Sequence, residues 1–499
     1  MGQRMPNWLK KRAELTPDRP AVLYEGRWFS FKELFNRASL ASGQLAAAGL
    51  SKGTPTAVLL SNHVETVILL FAMQMMGVRT VILNNRLSSE ELVWQIKDSE
   101  SVFLVTESAF GSRIDEISPV VSNNTQIVVK EKLFMMEPSS AVLLEEYDLD
   151  DVSTIMYTSG TTGNPKGVMQ TYGNHWWSAV GSALNIGMME SDRWLCAVPL
   201  FHISGYSILM RSQIYGIGIS LHRSFDEEKV IEDIEQNHIS IMSVVSTMLS
   251  RILEKLEHKR LPSGFRCMLL GGGPAPLPLL EKSLEKHIPV FQTYGMTETS
   301  SQFATLSPEY SIDKLGSAGK VLFPNQIKIA GPEGTALPPN AEGEIVVKGP
   351  NVTAGYWNRE DETSLKIRDG WLTTGDIGYM DVEGFLYVLD RRSDLIISGG
   401  ENIYPAEVEG VLLSHPGIVD AGVIGIGDIE WGQVPVAFLV KQAGSEVDAQ
   451  ELLSFCQQKL AKYKMPKKYY FIDELPRNAS KKLLRRKLRD WLEQGNNPF

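Results

Sequence analysis

The chain has 499 residues, 43% hydrophobic and 22% charged, a balance that fits a soluble protein of several domains with a large buried core. A formal net charge of −10 excludes nucleic-acid binding driven by bulk electrostatics. Three widely separated cysteines, Cys196, Cys267 and Cys456, fit no metal or disulfide spacing and read as buried thiols of a reducing compartment.

The opening MGQRMPNWLKKRAEL lacks the apolar run of a signal peptide. It carries Pro6 where a myristoylation motif needs Ser or Thr, so a cytoplasmic protein is expected. TAVLL (56–60) reads as a strand before the helix-like ETVILLFAMQMM, and TVIL (80–83) as a strand before SSEELVWQIKDS. Ser88 or Ser89 followed by Glu91 marks a helix start. The most apolar run, from Val67, is broken by Gln74, Gly77 and Arg79. It therefore predicts a buried helix and a strand rather than a membrane span. SIMSVV, STMLSRILEKLE, CMLLGGG and LPLLEKSLEK continue the alternation, which predicts an α/β fold of parallel sheets covered by helices. After Gly316, short runs such as EIVVK and FLYVL between Gly/Pro-rich stretches suggest a smaller antiparallel or barrel-like module. A third texture begins near Asp390: PAEVEGVLLSH as a helix, DAGVIGI and VPVAFLV as strands, AQELLSFCQQKLAK as a helix. This predicts two domains, 1–389 and 390–499, the second a small α+β unit of about 110 residues, joined at the polar DRRSD.

The stretch YTSGTTGNPKGV (157–168) is the densest local signal. Thr158, Ser159, Thr161 and Thr162 supply hydroxyl donors, Gly160, Gly163 and Gly167 permit close approach, and Lys166 adds a charge behind Pro165. Placed between an apolar strand and a helix expected from Gln170, the loop reads as an anion cradle. It breaks the Walker pattern, because Pro165 stands where the glycine before the lysine is required. A solvated Gly-Thr turn is the competing reading for such a loop taken alone.

Further strings follow in order: PLFHISG (199–205), GGGPAPL (271–277), YGMTET (294–299), WLTTGD (371–376), DRRSDLIISGGENIYPAEVE (390–409) and PRNASKKLLR (476–485). Together with TSGTTGNPKG they resemble the motif series of the adenylate-forming, acyl-CoA synthetase superfamily, and they cover nearly the whole chain. GGGPAPLPLLE, LSPEYSIDKLGSAGK and LIISGGENIYPAEVEGVLLSHP are most similar to the branch that ligates 2-succinylbenzoate to coenzyme A in menaquinone biosynthesis. Another aryl- or acyl-CoA ligase is the alternative. No GxSxG, HExxH or Rossmann GxGxxG context supports a hydrolase or dehydrogenase.

The resemblance implies ATP and Mg²⁺ as cofactors, coenzyme A as co-substrate and an acyl adenylate as intermediate. It implies that the 158–166 loop handles the β- and γ-phosphates. Thr297 and Glu298 would meet the α-phosphate and the metal. Gly271, Gly272, Gly273, Pro274, Tyr294, Gly295 and Met296 would form the adenine and acyl surface, with Asp376 and Arg391 on the ribose. His202 would border the substrate carboxylate without acting as a base. Lys482, just before Leu483-Leu484, would be the adenylation lysine, although Lys481 stands beside it where many members have glycine. Rotation about Asp390 between half-reactions would bring Gly399 and Gly400 to the pantetheine tunnel. Ser204, Ser207, Ser300, Ser301 and Thr305 are candidate donors to the substrate's second carboxylate, and a homo-oligomer stays open.

Overall fold

Every residue of helix Val64–Met76 except Glu65 is buried. A helix apolar on all sides must be enclosed, and this one lies in the main core with residues of both large sheets. The computed structural model describes residues 2–158, 165–273, 275, 277–391, 394–398, 401–428, 431–460, 462–477 and 483–493, with the backbone alone at 390, 391, 397, 401 and 402.

The first sheet has seven strands. Pro55–Leu59 lies centrally, parallel to Arg79–Ile82 on one side and to Phe103–Thr106 on the other. Gln126–Val129 extends the second side in parallel, and Val152–Thr158 extends the first. The chain reverses direction across the sheet at Pro55–Leu59. That makes its C-terminal end a topological switch point, where α/β sheets open a crevice. Ser88 caps helix Ser89–Asp98 in a reciprocal box with Glu91, as its spacing predicted.

The second sheet has fourteen strands. Its parallel half contains Arg193–Cys196, Gly218–Leu221, Ile241–Val244, Cys267–Leu270 and Val290–Met296. At Ser301–Leu306 the pairing turns antiparallel, and Ser317–Val321, Leu386–Arg391, Trp371–Met380, Gly343–Lys348 and Gln326–Ala330 follow edge to edge. The antiparallel module expected after Gly316 thus has its own apolar cluster but is hydrogen-bonded onto the parallel sheet. A third sheet is built on the long pair Ile418–Asp428 and Gly432–Lys441, with helices Pro405–Leu413 and Ala449–Gln457 and a core of its own. All three cysteines are free and buried.

One expectation needs correction. The glycine-rich segment does not link a strand to a helix. Val152–Thr158 and Lys166–Thr171 form an antiparallel pair with Lys166 opposite Thr158, and the helix begins only at Tyr172. Thr171 and Asn174 form the capping box that starts it, so the helix N-terminus lies at the far end of the returning strand from the loop. Residues 159–164 lie outside the described residues, and the anion-cradle reading must rest on a hairpin connection rather than on a helix dipole.

His175, fully buried on this helix, shares a 2.9 Å hydrogen bond with Thr154. Burial lowers its pKa from 6.5 to about 3. At pH values between these two the unfolded chain binds a proton that the native chain refuses, so stability falls as pH drops below 6.5. Unfolding free energies of wild type and His175→Gln, from urea titrations between pH 7 and about pH 5, should diverge as pH falls, the difference in slope approaching one proton, about 1.4 kcal/mol per pH unit, towards pH 5.

Candidate active site

A cleft of about 4020 Å³ opens beside the switch point of the first sheet and the C-terminal ends of the parallel strands of the second. Thr158, Lys166, His202, Gly271, Gly272, Gly273, Tyr294, Gly295, Met296, Thr297, Glu298 and Asp376 all line it. These residues come from five separate chain segments, and the fold brings them to one cleft.

The turn Thr297–Thr299, part of this lining, is held by several hydrogen bonds. Four successive carbonyl oxygens receive donors from distant parts of the chain. Gln170 Nε2 donates to Thr297 O at 2.9 Å, and Thr353 N to Glu298 O at 2.7 Å. Asn351 Nδ2 donates to Thr299 O at 2.9 Å, and Ser178 Oγ to Ser300 O at 2.6 Å. Asn174 anchors the donors' own segment through the carbonyls of Pro350 and Val352. Gly295 enters the turn against the facing strand, where an added Cβ would sit 1.9 Å from Ser301 O. The site therefore needs glycine there for closeness, and at Gly272 for a φ of +90°.

Polar side chains on and around this frame face the cleft. The Glu298 carboxylate accepts from Tyr356 Oη at 3.2 Å. Among the described residues no group of three His, Cys, Asp or Glu could hold a metal by itself. One carboxylate on an open cleft wall fits a hard cation that takes its remaining oxygen ligands from a bound phosphate and water. Asp376, on strand Trp371–Met380, accepts from Tyr294 Oη at 2.8 Å, and Arg391 stands opposite it in the backbone register. Lys166 forms an ion pair with Glu362 and lies 5.6 Å from the Tyr356 ring centre.

His202 stands at the start of the buried helix Ile203–Tyr215, against Phe201. Burial, reinforced by the charge of Arg86, lowers its pKa to about 4, so the ring is neutral near pH 7. Asn62 fixes the approach to it: its amide donates to Val198 O at 3.0 Å and His222 O at 3.2 Å and accepts from Leu200 N at 2.9 Å. Cys196 lies beneath this loop with its thiol pKa pushed up to about 12 by burial, which leaves it no nucleophilic role.

Behind His202 sits a residue that the sequence reading passed over. Arg211 is 1% exposed yet lines the cleft. Its guanidinium stacks 5.0 Å from Trp194, its Nη2 is 3.4 Å from Ser301 Oγ, and its Nε has no partner. No carboxylate lies within ion-pair distance of it among the described residues. Burial accordingly lowers its pKa. A lone arginine inside ISGYSILMRSQIY, a segment otherwise apolar or uncharged on every face, was the available signal. Of the serine and threonine candidates, Ser301 and Ser204 line the cleft, and Ser207 donates to Ser301 Oγ at 3.3 Å. Thr305 instead accepts from Gln302 at 2.6 Å, and the Ser300 hydroxyl is buried without a partner.

Ser159, Gly160, Thr161, Thr162, Gly163, Pro274, Gly399, Gly400 and Lys482 lie outside the described residues, as does the Arg391 side chain. The residues flanking 478–482 are well held. Arg477 and Leu483 pair across the segment, and both line the cleft. Arg477 Nη2 donates to Asp420 at 2.6 Å, and Arg485 Nη2 reaches both oxygens of Glu409 at 2.8 Å.

Residues 9–357 match the AMP-binding enzyme family, and residues 407–482 match the AMP-binding enzyme C-terminal domain. The chain is 54% identical over 495 residues to a 2-succinylbenzoate–CoA ligase of Geobacillus kaustophilus, covering 99% of each. It is similar to the o-succinylbenzoate CoA synthetase of Bacillus subtilis in complex with its acyl-adenylate intermediate, with 51% identity, a TM-score of 0.93 and coverage of 98% and 99%. The same enzyme with ATP and a magnesium ion matches at 52% identity and a TM-score of 0.92, covering 98% of this chain and 100% of that one.

Gly295→Ala should cost about 2 kcal/mol or more, because backbone faces the new methyl group and cannot yield as a side chain can. Chemical denaturation of the purified variant checks this.

Proposed function

The chain belongs to the AMP-binding enzyme family, and from that premise we infer that it is an ATP-dependent 2-succinylbenzoate–CoA ligase acting in menaquinone biosynthesis. One carboxylate oxygen of the acid attacks the α-phosphorus of ATP, and pyrophosphate leaves to give the acyl adenylate. The sulfur of coenzyme A then attacks the acyl carbon, and AMP leaves with the bonding pair.

Arg211 is the observation that favours an acid with a second carboxylate. A buried guanidinium without an acidic partner is costly. An anionic substrate group reaching the Ser301 end of the pocket offsets that cost, whereas a plain benzoate or fatty acid leaves it in place. Neutral His202 adds no charge to this wall, and the reacting carboxylate is already ionised at neutral pH, so no base is needed. Thr297 meets the α-phosphate, Asp376 and Arg391 take the ribose, and Gly271–Gly273 leave room for the adenine. Lys166 and the 158–163 loop handle the phosphates that depart. Mg²⁺ beside Glu298 neutralises charge on the phosphates when bound. Lys482 bridges carboxylate and phosphate during adenylation. Residues 1–389 form the nucleotide- and acid-binding domain, and residues 390–499 swing about Asp390, exchanging Lys482 for the Gly399–Gly400 segment before the thiol arrives. No helix among the described residues is long and apolar enough to cross a membrane, and the cytoplasm, where ATP and coenzyme A are at hand, is the proposed site of action.

ATP–pyrophosphate exchange across a panel of acids tests the substrate: 2-succinylbenzoate should drive it best, and stronger exchange with benzoates or fatty acids overturns the reading. Arg211→Met should raise the KM for 2-succinylbenzoate by about thirtyfold or more with little change in the KM for ATP. Lys482→Ala should cripple adenylation while sparing thioester formation from supplied acyl adenylate, and equal loss in both assays counts against its assignment.

A further inference from the structure

Lys166 begins the strand that returns from the glycine-rich loop, and its ammonium is already engaged. Its partner is Glu362, on the short helix Glu360–Lys366. The pair is partly shielded, with side-chain exposures of 19% and 37%. Helix and strand are tied locally, since Tyr356 N donates to Thr363 Oγ1 at 2.9 Å and Gly355–Tyr356 pairs with Val168 and Met169. Tyr356 lies under the ammonium and gives its hydroxyl to Glu298. A continuous path therefore runs from Glu362 through Lys166 and Tyr356 to the carboxylate proposed to face the metal.

We propose that Glu362 is a positioning residue that stands in for pyrophosphate, holding the Lys166 ammonium while the phosphate subsite is empty and competing with pyrophosphate for it during turnover. The proposal rests on the reading of Lys166 as a phosphate-handling residue. A single ammonium cannot give its full strength to two anions at once. Phosphate oxygens that approach Lys166 either displace Glu362 or meet its negative charge, and both outcomes loosen the grip on the anion. When pyrophosphate departs, the lysine returns to a partner already in place rather than to water. This contact weakens ATP binding somewhat and shortens the stay of the product. That exchange of partners suits a loop that must release pyrophosphate before the second half-reaction.

The test is pyrophosphate inhibition of the adenylation step in wild type, Glu362→Gln and Glu362→Asp, with each substitution repeated in a Lys166→Met background. Glu362→Gln should lower the inhibition constant for pyrophosphate and the KM for ATP together by about two- to fivefold, the range that a half-exposed ion pair supplies. Glu362→Asp, which keeps the charge, should stay near wild type, and the Glu362→Gln effect should vanish without Lys166. An unchanged inhibition constant in Glu362→Gln overturns the proposal, as does a raised one, which would make Glu362 an aid to phosphate binding. A wild-type protein that neither binds ATP nor is inhibited by pyrophosphate overturns the phosphate reading of Lys166 along with it.

Discussion

Four adjacent carbonyl groups, from Thr297 to Ser300, hold the site together. A turn on the rim of a cleft normally leaves its carbonyls to water. Here Gln170, Thr353, Asn351 and Ser178 satisfy all four, and these donors come from strand Lys166–Thr171 of the first sheet, the helix that follows it and the 351–353 segment. Thr297 O also accepts from Ser300 N at 3.1 Å, but losing the donor to any of the other three strands a shielded carbonyl, at a cost of about 1–3 kcal/mol. The consequence is positional: the Glu298 carboxylate is fixed between the two sheets, and the returning strand that begins at Lys166 is fixed relative to it.

Charge in the cleft follows a similar logic of partners held in reserve. Arg211, proposed to meet the acid, has no protein carboxylate beside it among the described residues, while Lys166, proposed to meet the phosphates, already has one. The difference suits their tasks. A group that selects a substrate gains by being unsatisfied until the right anion arrives. A group that must release a product gains from a competitor close by. Burial keeps His202 and His175 neutral, so neither blurs this pattern near pH 7.

The two large sheets meet at the switch point of the first, and Asn62 shows how closely they are joined there. Its one amide holds Val198, Leu200 and His222, the ends of two neighbouring strands, beside the loop that delivers His202. The third sheet has a separate core, and the Arg477–Asp420 and Arg485–Glu409 clamps hold both ends of the segment that contains Lys482. Fixed ends on an independently cored unit are what the domain motion proposed for Lys482 requires.

Much of this was legible in the chain. Apolar runs of the right length located the buried helix Val64–Met76 and the parallel strands Pro55–Leu59, Arg79–Ile82, Ile241–Val244 and Cys267–Leu270, because burial on all sides leaves a compositional trace that short-range sequence retains. Ser88 and Glu91 announced a capping box, which is local by nature. The order of motifs carried the family and the identity of the residues on the cleft wall. The hairpin around residues 159–164 was misread because Gln170 has a helix former's composition, whereas its strand conformation is imposed by pairing with Thr154 and by its reach to Thr297. Tyr356, Glu362 and Arg211 lie 58, 196 and 90 positions from Glu298, Lys166 and Ser301, the residues they meet. Sequence determined which chemical groups this protein possesses and the local elements that present them. Tertiary structure alone decided which charges have partners, since a partner is set by proximity across sheets and leaves no mark on the neighbouring residues of either chain segment.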